Sequence, residues 1–274
     1  MIDAILLFAD ALYGALVIAV ACSTLGVYVV LRRIVFVGAA LAQISSAGIA
    51  LALFLSGVGI GAFGLTRHPV ALALIVTLAG AMVFAGSGRQ RVPPDATIGA
   101  AYAMAAAAGI LLIAKAASGE AHDIFLQGNI LGITRTDMYV LLAIAAPVLV
   151  AHTVFYKEFL FVSFDRETAR TLGYNVTFWN LFFYLTLGLV IAFAMQFAGV
   201  LLVFNFLVLP AVAGLLISRS MRGMFAVAII ASLTASVVGF SLSVVFDLPT
   251  GPAIIAVSGA LLLIAWLIRI AQQR

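Results

Sequence analysis

Long apolar runs dominate the chain, and short groups of charged or turn-forming residues separate them. Runs long enough to cross a bilayer lie near residues 7–31, 38–58, 69–86, 97–114, 138–155, 178–196, 198–217, 224–245 and 252–270. A helix needs about 20 apolar residues to cross a hydrocarbon core roughly 30 Å thick. The pattern therefore predicts an all-α fold, a polytopic membrane helix bundle with about eight or nine transmembrane helices, and a single transmembrane domain over residues 1–274.

The apolar run from Phe178 to Ile217 is too long for one crossing. As a single helix it would extend about 60 Å at 1.5 Å per residue, twice what a bilayer requires. We therefore expect the run to fold back on itself. Gly199, which lies close to Gln196, is the predicted turn.

Composition agrees with a lipid environment. Hydrophobic residues make up 65% of the 274 positions and charged residues 9%, whereas soluble domains average about 45–50% and about 25%. The net charge of +4 is small and dispersed, so it does not indicate a nucleic-acid partner. The one cysteine, Cys22, lies in an apolar run and cannot form a disulfide within the chain.

Basic residues between the spans are distributed unequally over the two sides of the predicted membrane. Eleven lie on one side, namely Arg32, Arg33, Arg89, Arg91, Lys157, Arg166, Arg170, Arg219, Arg222, Arg269 and Arg274, and three lie on the other, namely Arg67, Lys115 and Arg135. Cytoplasmic loops carry the excess of Lys and Arg. The pattern predicts a multi-pass protein of the bacterial cytoplasmic membrane, with its N-terminus outside and its C-terminus in the cytoplasm.

The loop at 156–175, YKEFLFVSFDRETARTLGYN, mixes charged and apolar residues on the predicted cytoplasmic side. Asp165 is a good N-cap and Gly173 a natural helix stop. Between them we expect a short helix at about 166–172, with Ala169 and Leu172 on one face. Such a helix is suited to docking into a groove on another protein. A solvated connector would show the same pattern.

Three stretches resemble the permease subunits of bacterial ABC importers for zinc, manganese and iron. They are LGVYVVLRRIVFVGAALAQISSAGIALAL at 25–53, KEFLFVSFDRETARTLGYNV at 157–176, and GVLLVFNFLVLPAVAGLLISRSM at 199–221 together with FDLPTGPAII at 246–255. The resemblance extends over nearly the whole chain. The loop at 163–173 and the turn at 247–252 carry it most specifically, because purely apolar segments match easily by chance.

The resemblance implies an assembly of several subunits. Two copies of the permease would form a homodimer around a twofold axis in the lipid, with two ABC ATPase subunits below and a periplasmic or lipid-anchored solute-binding protein above. The loop helix, at about 165–173, would be the coupling helix that the ATPases move. Its coupling residues would be Phe164, Asp165, Glu167, Ala169, Arg170, Leu172 and Gly173. The chain itself would be no enzyme and would hold no cofactor, since the partner subunit uses the ATP.

The second span departs from the family pattern. Members usually read Gly-Asp-Ala-Leu-Ser-His there, whereas this chain has Ala39 at the Asp position and Gln43 at the His position. A neutral amide cannot replace a carboxylate as compensation for a dehydrated dication. Three explanations stay open: weaker carbonyl contacts along the path, a metal site rebuilt elsewhere, or a cargo that is not a bare ion.

Five residues are candidate metal ligands: Gln43, Asn205, Glu120, His122 and Asp123. Gln43 is expected to face the path, and Ser45 and Ser46 to serve helix packing together with Gly38, Ala42 and Gly48. Asn205 could line the path or cap the backbone near Pro210. The cluster at 120–123 could bind a cation or form a solvated loop. His152, near a span end, is interpreted as an interfacial side chain.

The predicted function is ATP-dependent import of a divalent transition metal ion, Zn, Mn or Fe. An ABC permease for a metal chelate or another small solute is an alternative. A channel or a secondary carrier that works without ATP is another, although carriers often place an acidic residue within the membrane and no Asp or Glu lies in the middle of a predicted span.

Overall fold

The computed structural model describes residues 8–57, 68–86, 92–115, 128 and 130–273, and these ranges contain helices and turns but no strand. The helices are α1 (Ala9–Leu31), α2 (Val37–Gly57), α3 (Pro69–Gly86), α4 (Pro94–Lys115), α5 (Arg135–Val154), α6 (Tyr156–Phe164), α7 (Arg166–Thr171), α8 (Val176–Ile217), α9 (Met221–Phe246) and α10 (Thr250–Gln273), with one 3₁₀ turn at Ile130–Gly132. Eight of them are long and apolar enough to cross a membrane. The prediction of an all-α membrane bundle is confirmed.

The longest helix, α8, has 42 residues and reverses direction at Gly199, whose φ of 69° and ψ of 170° are not helical. Before the reversal, the ring of Phe183 lies 6.1 Å from that of Tyr28. After it, Leu207 packs directly on Gly26, in the same part of α1. If α8 were straight, the eight residues from Gly199 to Leu207 would add about 12 Å to the distance from Phe183. Leu207 could then not reach the part of α1 that lies beside Phe183. Since α8 crosses twice, the described helices make nine crossings, and the predicted turn at Gly199 is confirmed.

One end of the bundle gathers the basic residues, and we call it the basic end. Helices α1, α3, α5 and α10 finish there, and α2, α4 and α9 begin there, while α8 both begins and finishes there. Arg32, Arg166, Arg219 and Arg222 lie at this end, as do the short helices α6 and α7. Four other arginines used in the charge count, Arg67, Arg89, Arg91 and Arg274, lie outside the described residues.

Small residues let the helix backbones approach closely. A side chain on Gly26 would collide with the backbone carbonyl of Leu207, and a Cβ on Gly48 would lie 2.7 Å from the Cα of Ala73. A Cβ on Gly38 would lie 2.5 Å from Cδ1 of Leu207. In lipid, close van der Waals packing replaces the hydrophobic effect as the force between helices. The predicted small-residue face of α2 therefore packs against α3 and the returning half of α8.

We predict that Gly199→Ala destabilises the bundle, because a φ of 69° with a ψ of 170° is accessible almost only to glycine. The expected cost is about 1–3 kcal/mol, read as a lower unfolding midpoint of the detergent-solubilised protein. The matched control is Gly259→Ala in α10, where a Cβ would meet nothing within 4 Å and alanine favours the helix. A midpoint for Gly199→Ala equal to that of the control would contradict the assigned backbone geometry.

Candidate functional site

A cavity of about 610 Å³ opens between the start of α2, the start of α4 and the returning half of α8. Its lining residues are Phe36, Ala39, Asp95, Ala96, Gly99, Tyr102, Val200, Leu201 and Phe204. Asp95 is the one acidic side chain among them. The position where the resembled family has an aspartate, Ala39, thus does face a cavity, but it brings no charge there.

Gln43 lies one helical turn beyond Ala39 on α2 and is 8% exposed. It is not among the residues that line the cavity, and it forms no hydrogen bond within the part of the chain that the structure describes. Helical spacing places it on the same face as Ala39. Its assignment to the path therefore stays a prediction.

Asn205 joins the returning half of α8 to α10. Its Nδ2 donates to the hydroxyl of Ser258 at 3.0 Å. Its Oδ1 is buried and has no partner among the described residues. Within the described residues, the bond to Ser258 is the only hydrogen bond of the Asn205 side chain. Asn205 therefore does not cap the backbone beside Pro210, which was one of its two predicted roles.

The remaining metal candidates, Glu120, His122 and Asp123, lie outside the described residues. Within the described ranges, no group of three or more His, Cys, Asp or Glu side chains is placed to hold a metal ion. The ligand set of a tight metal site therefore does not occur in these ranges.

The interpretation of His152 as an interfacial side chain is wrong. The side chain is 1% exposed, and its ring stacks on Phe159 with centroids 4.0 Å apart. Its Nε2 lies 3.0 Å from the hydroxyl of Thr186. Sequence position suggested the membrane surface because His152 is near the end of α5, but α6 folds back over it and supplies Phe159.

The short helix α7 forms with the predicted caps. One carboxylate oxygen of Asp165 accepts from the backbone N–H groups of Glu167 at 3.1 Å and Thr168 at 3.0 Å. Hydrogen bonds from the hydroxyl and then the backbone of Thr168 lower the pKa of Asp165. The cap is thus charged and intact at neutral pH, and it is lost only as the pH falls through the lowered pKa. At the other end, Gly173 ends the helix with a φ of 87°.

Ala169 and Leu172 do not share a face, contrary to the sequence prediction. Ala169 is fully buried against Val162 of α6 and Val176 of α8. Leu172 is 65% exposed and Phe164 is 59% exposed. Since α7 ends at Thr171, helical spacing does not hold Leu172 on the face of Ala169. The other predicted coupling residues, Phe164, Asp165, Glu167, Arg170 and Gly173, are exposed with Leu172.

Arg32, just beyond the end of α1, links three elements at the basic end. Its Nε donates to Ser163 Oγ of α6 at 2.9 Å, and one terminal nitrogen donates to Asn180 Oδ1 of α8 at 2.9 Å. Its guanidinium lies 3.8 Å from the ring centroid of Phe183. Burial, and then the nearby Arg166, lowers the pKa of Arg32 to about 9, so the group stays charged at neutral pH.

In the sequence analysis, Arg32 counts only as one of eleven basic residues on one side of the membrane. Its partners Ser163 and Asn180 lie 131 and 148 positions away in the chain. A single sequence contains no signal for such pairs. The position of Arg32 at the end of a span is equally compatible with a charge that is exposed to solvent.

We predict that Asp165→Ala loosens α7, since alanine cannot accept from the exposed N–H groups. Amide hydrogen exchange of residues 166–171 is expected to quicken about fivefold. Asp165→Asn is the matched control, because asparagine caps helices as well as aspartate does. Equal protection in Asp165→Ala and the parent protein would contradict the capping role.

Comparison with known proteins extends over almost the whole chain. Residues 5–269 match the model of the ABC 3 transport family. The manganese import system permease protein ScaB of Streptococcus gordonii is 30% identical over 265 residues, 96% of this chain and 92% of the relative. The probable iron transport system membrane protein of Haemophilus influenzae is 29% identical over 93% of this chain and 91% of the relative.

Two solved structures share the architecture. One is described as PsaBC from Streptococcus pneumoniae in complex with Fab; its matching chain is 28% identical, with a TM-score of 0.82 over 97% of this chain and 94% of that chain. The other, described as an inward-facing conformation of a putative metal-chelate type ABC transporter, has a TM-score of 0.71 over 94% of this chain and 85% of that chain. It is 14% identical and bears on the fold alone.

Proposed function

Because this chain belongs to the ABC 3 transport family, we propose that it imports a divalent transition metal ion as the membrane-spanning permease subunit of an ATP-binding cassette transporter. The observation that carries this function is the family match over residues 5–269, which overlaps every described crossing. As a permease subunit, the chain is a transport component and not the enzyme of its complex. ATP hydrolysis belongs to a separate partner subunit.

Manganese or iron is the proposed cargo. The Streptococcus gordonii relative is named for manganese import and the Haemophilus influenzae relative for iron transport. Zinc, which the resemblance also allows, stays a prediction. The preference for Mn²⁺ or Fe²⁺ comes from these names, because nothing in the described cavity distinguishes one dication from another.

The cavity beside Ala39 is proposed to belong to the translocation path. Six waters occupy about 180 Å³ at about 30 Å³ each, so a hydrated dication fits within about 610 Å³. Neither Ala39 nor Gln43 can replace the charge compensation that a dehydrated dication needs. We therefore propose that the ion passes with most of its water shell, and that Asp95 supplies the negative charge along this wall.

A metal chelate is the second candidate cargo. The aromatic side chains of Phe36, Tyr102 and Phe204 line the cavity. Pockets for small organic molecules measure about 300–1,000 Å³ and are mostly apolar, and this cavity fits that description. A ligand that carries its own donor atoms would also make the missing Asp and His unnecessary.

The proposed orientation places the basic end in the cytoplasm, with the N-terminus outside and the C-terminus inside. The excess of Arg and Lys at that end supports it. The ATPase subunits would dock on the exposed side chains of Phe164 and Leu172 beside α7. A second copy of this chain would complete the path, and a solute-binding protein would deliver cargo at the opposite end.

The cargo is tested in proteoliposomes that contain the permease with its ATPase partner, with the solute-binding protein added outside. We expect external Mn²⁺ to quench a trapped metal-sensitive dye only when ATP is hydrolysed, and a hydrolysis-deficient ATPase to abolish the signal. Transport that requires an added chelator such as citrate would favour the chelate over the ion. Absence of ATP-dependent metal entry under both conditions would contradict the proposed function.

The docking surface is tested by Leu172→Asp. A carboxylate that becomes buried without a partner in an interface is strongly unfavourable, so affinity for the ATPase is expected to fall at least about tenfold. Leu248→Asp is the matched control, because Leu248 is 49% exposed but lies at the opposite end, between α9 and α10. Equal affinities for the two variants in a pull-down titration would exclude Leu172 from the interface.

A further inference from the structure

The turn between α1 and α2, residues 32–36, separates two cavities, and we call it the 32–36 turn. Ile34 lines a cavity of about 350 Å³ at the basic end, together with Asp165 and Glu167 of the α7 region. Phe36 lines the larger cavity, of about 610 Å³, between α2, α4 and the returning half of α8. This one turn therefore contributes residues to the walls of both cavities.

Phe36 contributes one half of an aromatic pair. Its ring is stacked on that of Phe204 at an interplanar angle of 20°, with the centroids 6.5 Å apart. Phe36 comes just before the first residue of α2, so the pair lies where the larger cavity approaches the basic end. Phe36 is 59% exposed, which leaves its ring free of the dense packing that would fix it in one place.

Arg32 fastens the other end of the turn to the α6–α7 segment. It donates to Ser163, which lies two residues before the cap of α7, and to Asn180. Arg166 of α7 also donates to Asn180 Oδ1, at 3.3 Å, and Asn180 in turn donates to the carbonyl oxygen of Ala85 at the end of α3. Arg32 and Arg166 of α7 thus share one acceptor, Asn180 Oδ1, and Arg32 also holds Ser163 in the segment that leads into α7.

Stability alone does not account for the charge on Arg32. No carboxylate lies within ion-pair distance of it in the described ranges, and one of its terminal nitrogens is buried without a partner. Half-burying a cation that has no counter-charge costs free energy. What the guanidinium offers instead is a rigid fork that engages two acceptors at once, and here the acceptors belong to α6 and α8.

We propose that Arg32 transmits the displacement of the α6–α7 segment to an aromatic gate, formed by Phe36 and Phe204, at the basic end of the larger cavity. The inference rests on the proposed function, since it assigns parts of the same transport cycle. When the ATPases move α7, Ser163 and Asn180 carry Arg32 with them. The short 32–36 turn then shifts Phe36 against Phe204 and opens or closes the path.

Arg32 is tested through the number of Mn²⁺ ions imported per ATP hydrolysed by the reconstituted complex. We expect Arg32→Gln and Arg32→Lys to lower this ratio at least about fivefold while ATP hydrolysis continues, because neither side chain has the fork that engages both acceptors. Arg33→Gln is the control, since Arg33 is exposed and adjacent and should leave the ratio unchanged. A residue with only a structural role would lower protein yield and hydrolysis together, without changing the ratio.

The gate is tested by Phe36→Ala, with Phe246→Ala as the control for an exposed phenylalanine at the opposite end. Phe36→Ala is expected to let Mn²⁺ enter without ATP at least about tenfold faster than the parent complex. Phe246→Ala is expected to show the same ATP-independent entry rate as the parent complex. The Phe36→Ala measurement still tests the gate if the Arg32 variants fail to assemble. The proposal is overturned if Arg32→Lys keeps the parental ratio of Mn²⁺ imported to ATP hydrolysed, or if Phe36→Ala shows no faster ATP-independent Mn²⁺ entry than the parent complex. A parent complex that shows no ATP-driven uptake would instead contradict the proposed function.

Discussion

The sharp reversal of α8 at Gly199 is the constraint on which the rest of the bundle depends. Lipid offers no hydrophobic force to hold the returning half in place, so close backbone contact must do so. Gly26 supplies that contact by admitting the carbonyl of Leu207, and Asn205 adds a hydrogen bond to α10. The returning half in turn carries Phe204 and its neighbours into the cavity wall. A backbone conformation accessible to glycine at one position therefore fixes where the cavity lies.

The basic end combines an exposed surface, which is the proposed docking surface, with a buried attachment. Phe164 and Leu172 project outward, whereas Ala169 packs inward and holds α7 against the bundle. Arg32 then joins this segment to the turn that precedes α2. Because a short helix has little stability of its own, the caps and the inward contact are what allow α7 to act as one rigid piece. A rigid piece that is hydrogen-bonded to the cavity wall is suited to transmit force.

The features that follow from local chemistry could be predicted from the sequence. Span number, the turn at Gly199 and the caps of α7 depend on run length, glycine geometry and short-range hydrogen bonds, all of which one sequence displays. The burial of His152, the inward position of Ala169 and the links of Arg32 depend on contacts between distant parts of the chain. Periodicity says nothing about such contacts, and the absence of Asp and His from α2 likewise left the cargo open.

The most direct test of coupling between α7 and the bundle is a distance measured between two copies of the chain. Lys157, exposed on α6, is replaced by cysteine and spin-labelled in a Cys22→Ala background, within the complex of permease and ATPase. Pulsed electron resonance then reports the separation of the two labels with and without bound ATP. Coupling through α7 predicts a distance distribution that shifts by several ångströms when ATP binds. An identical distribution in both states, or no measurable pair of labels, would contradict it.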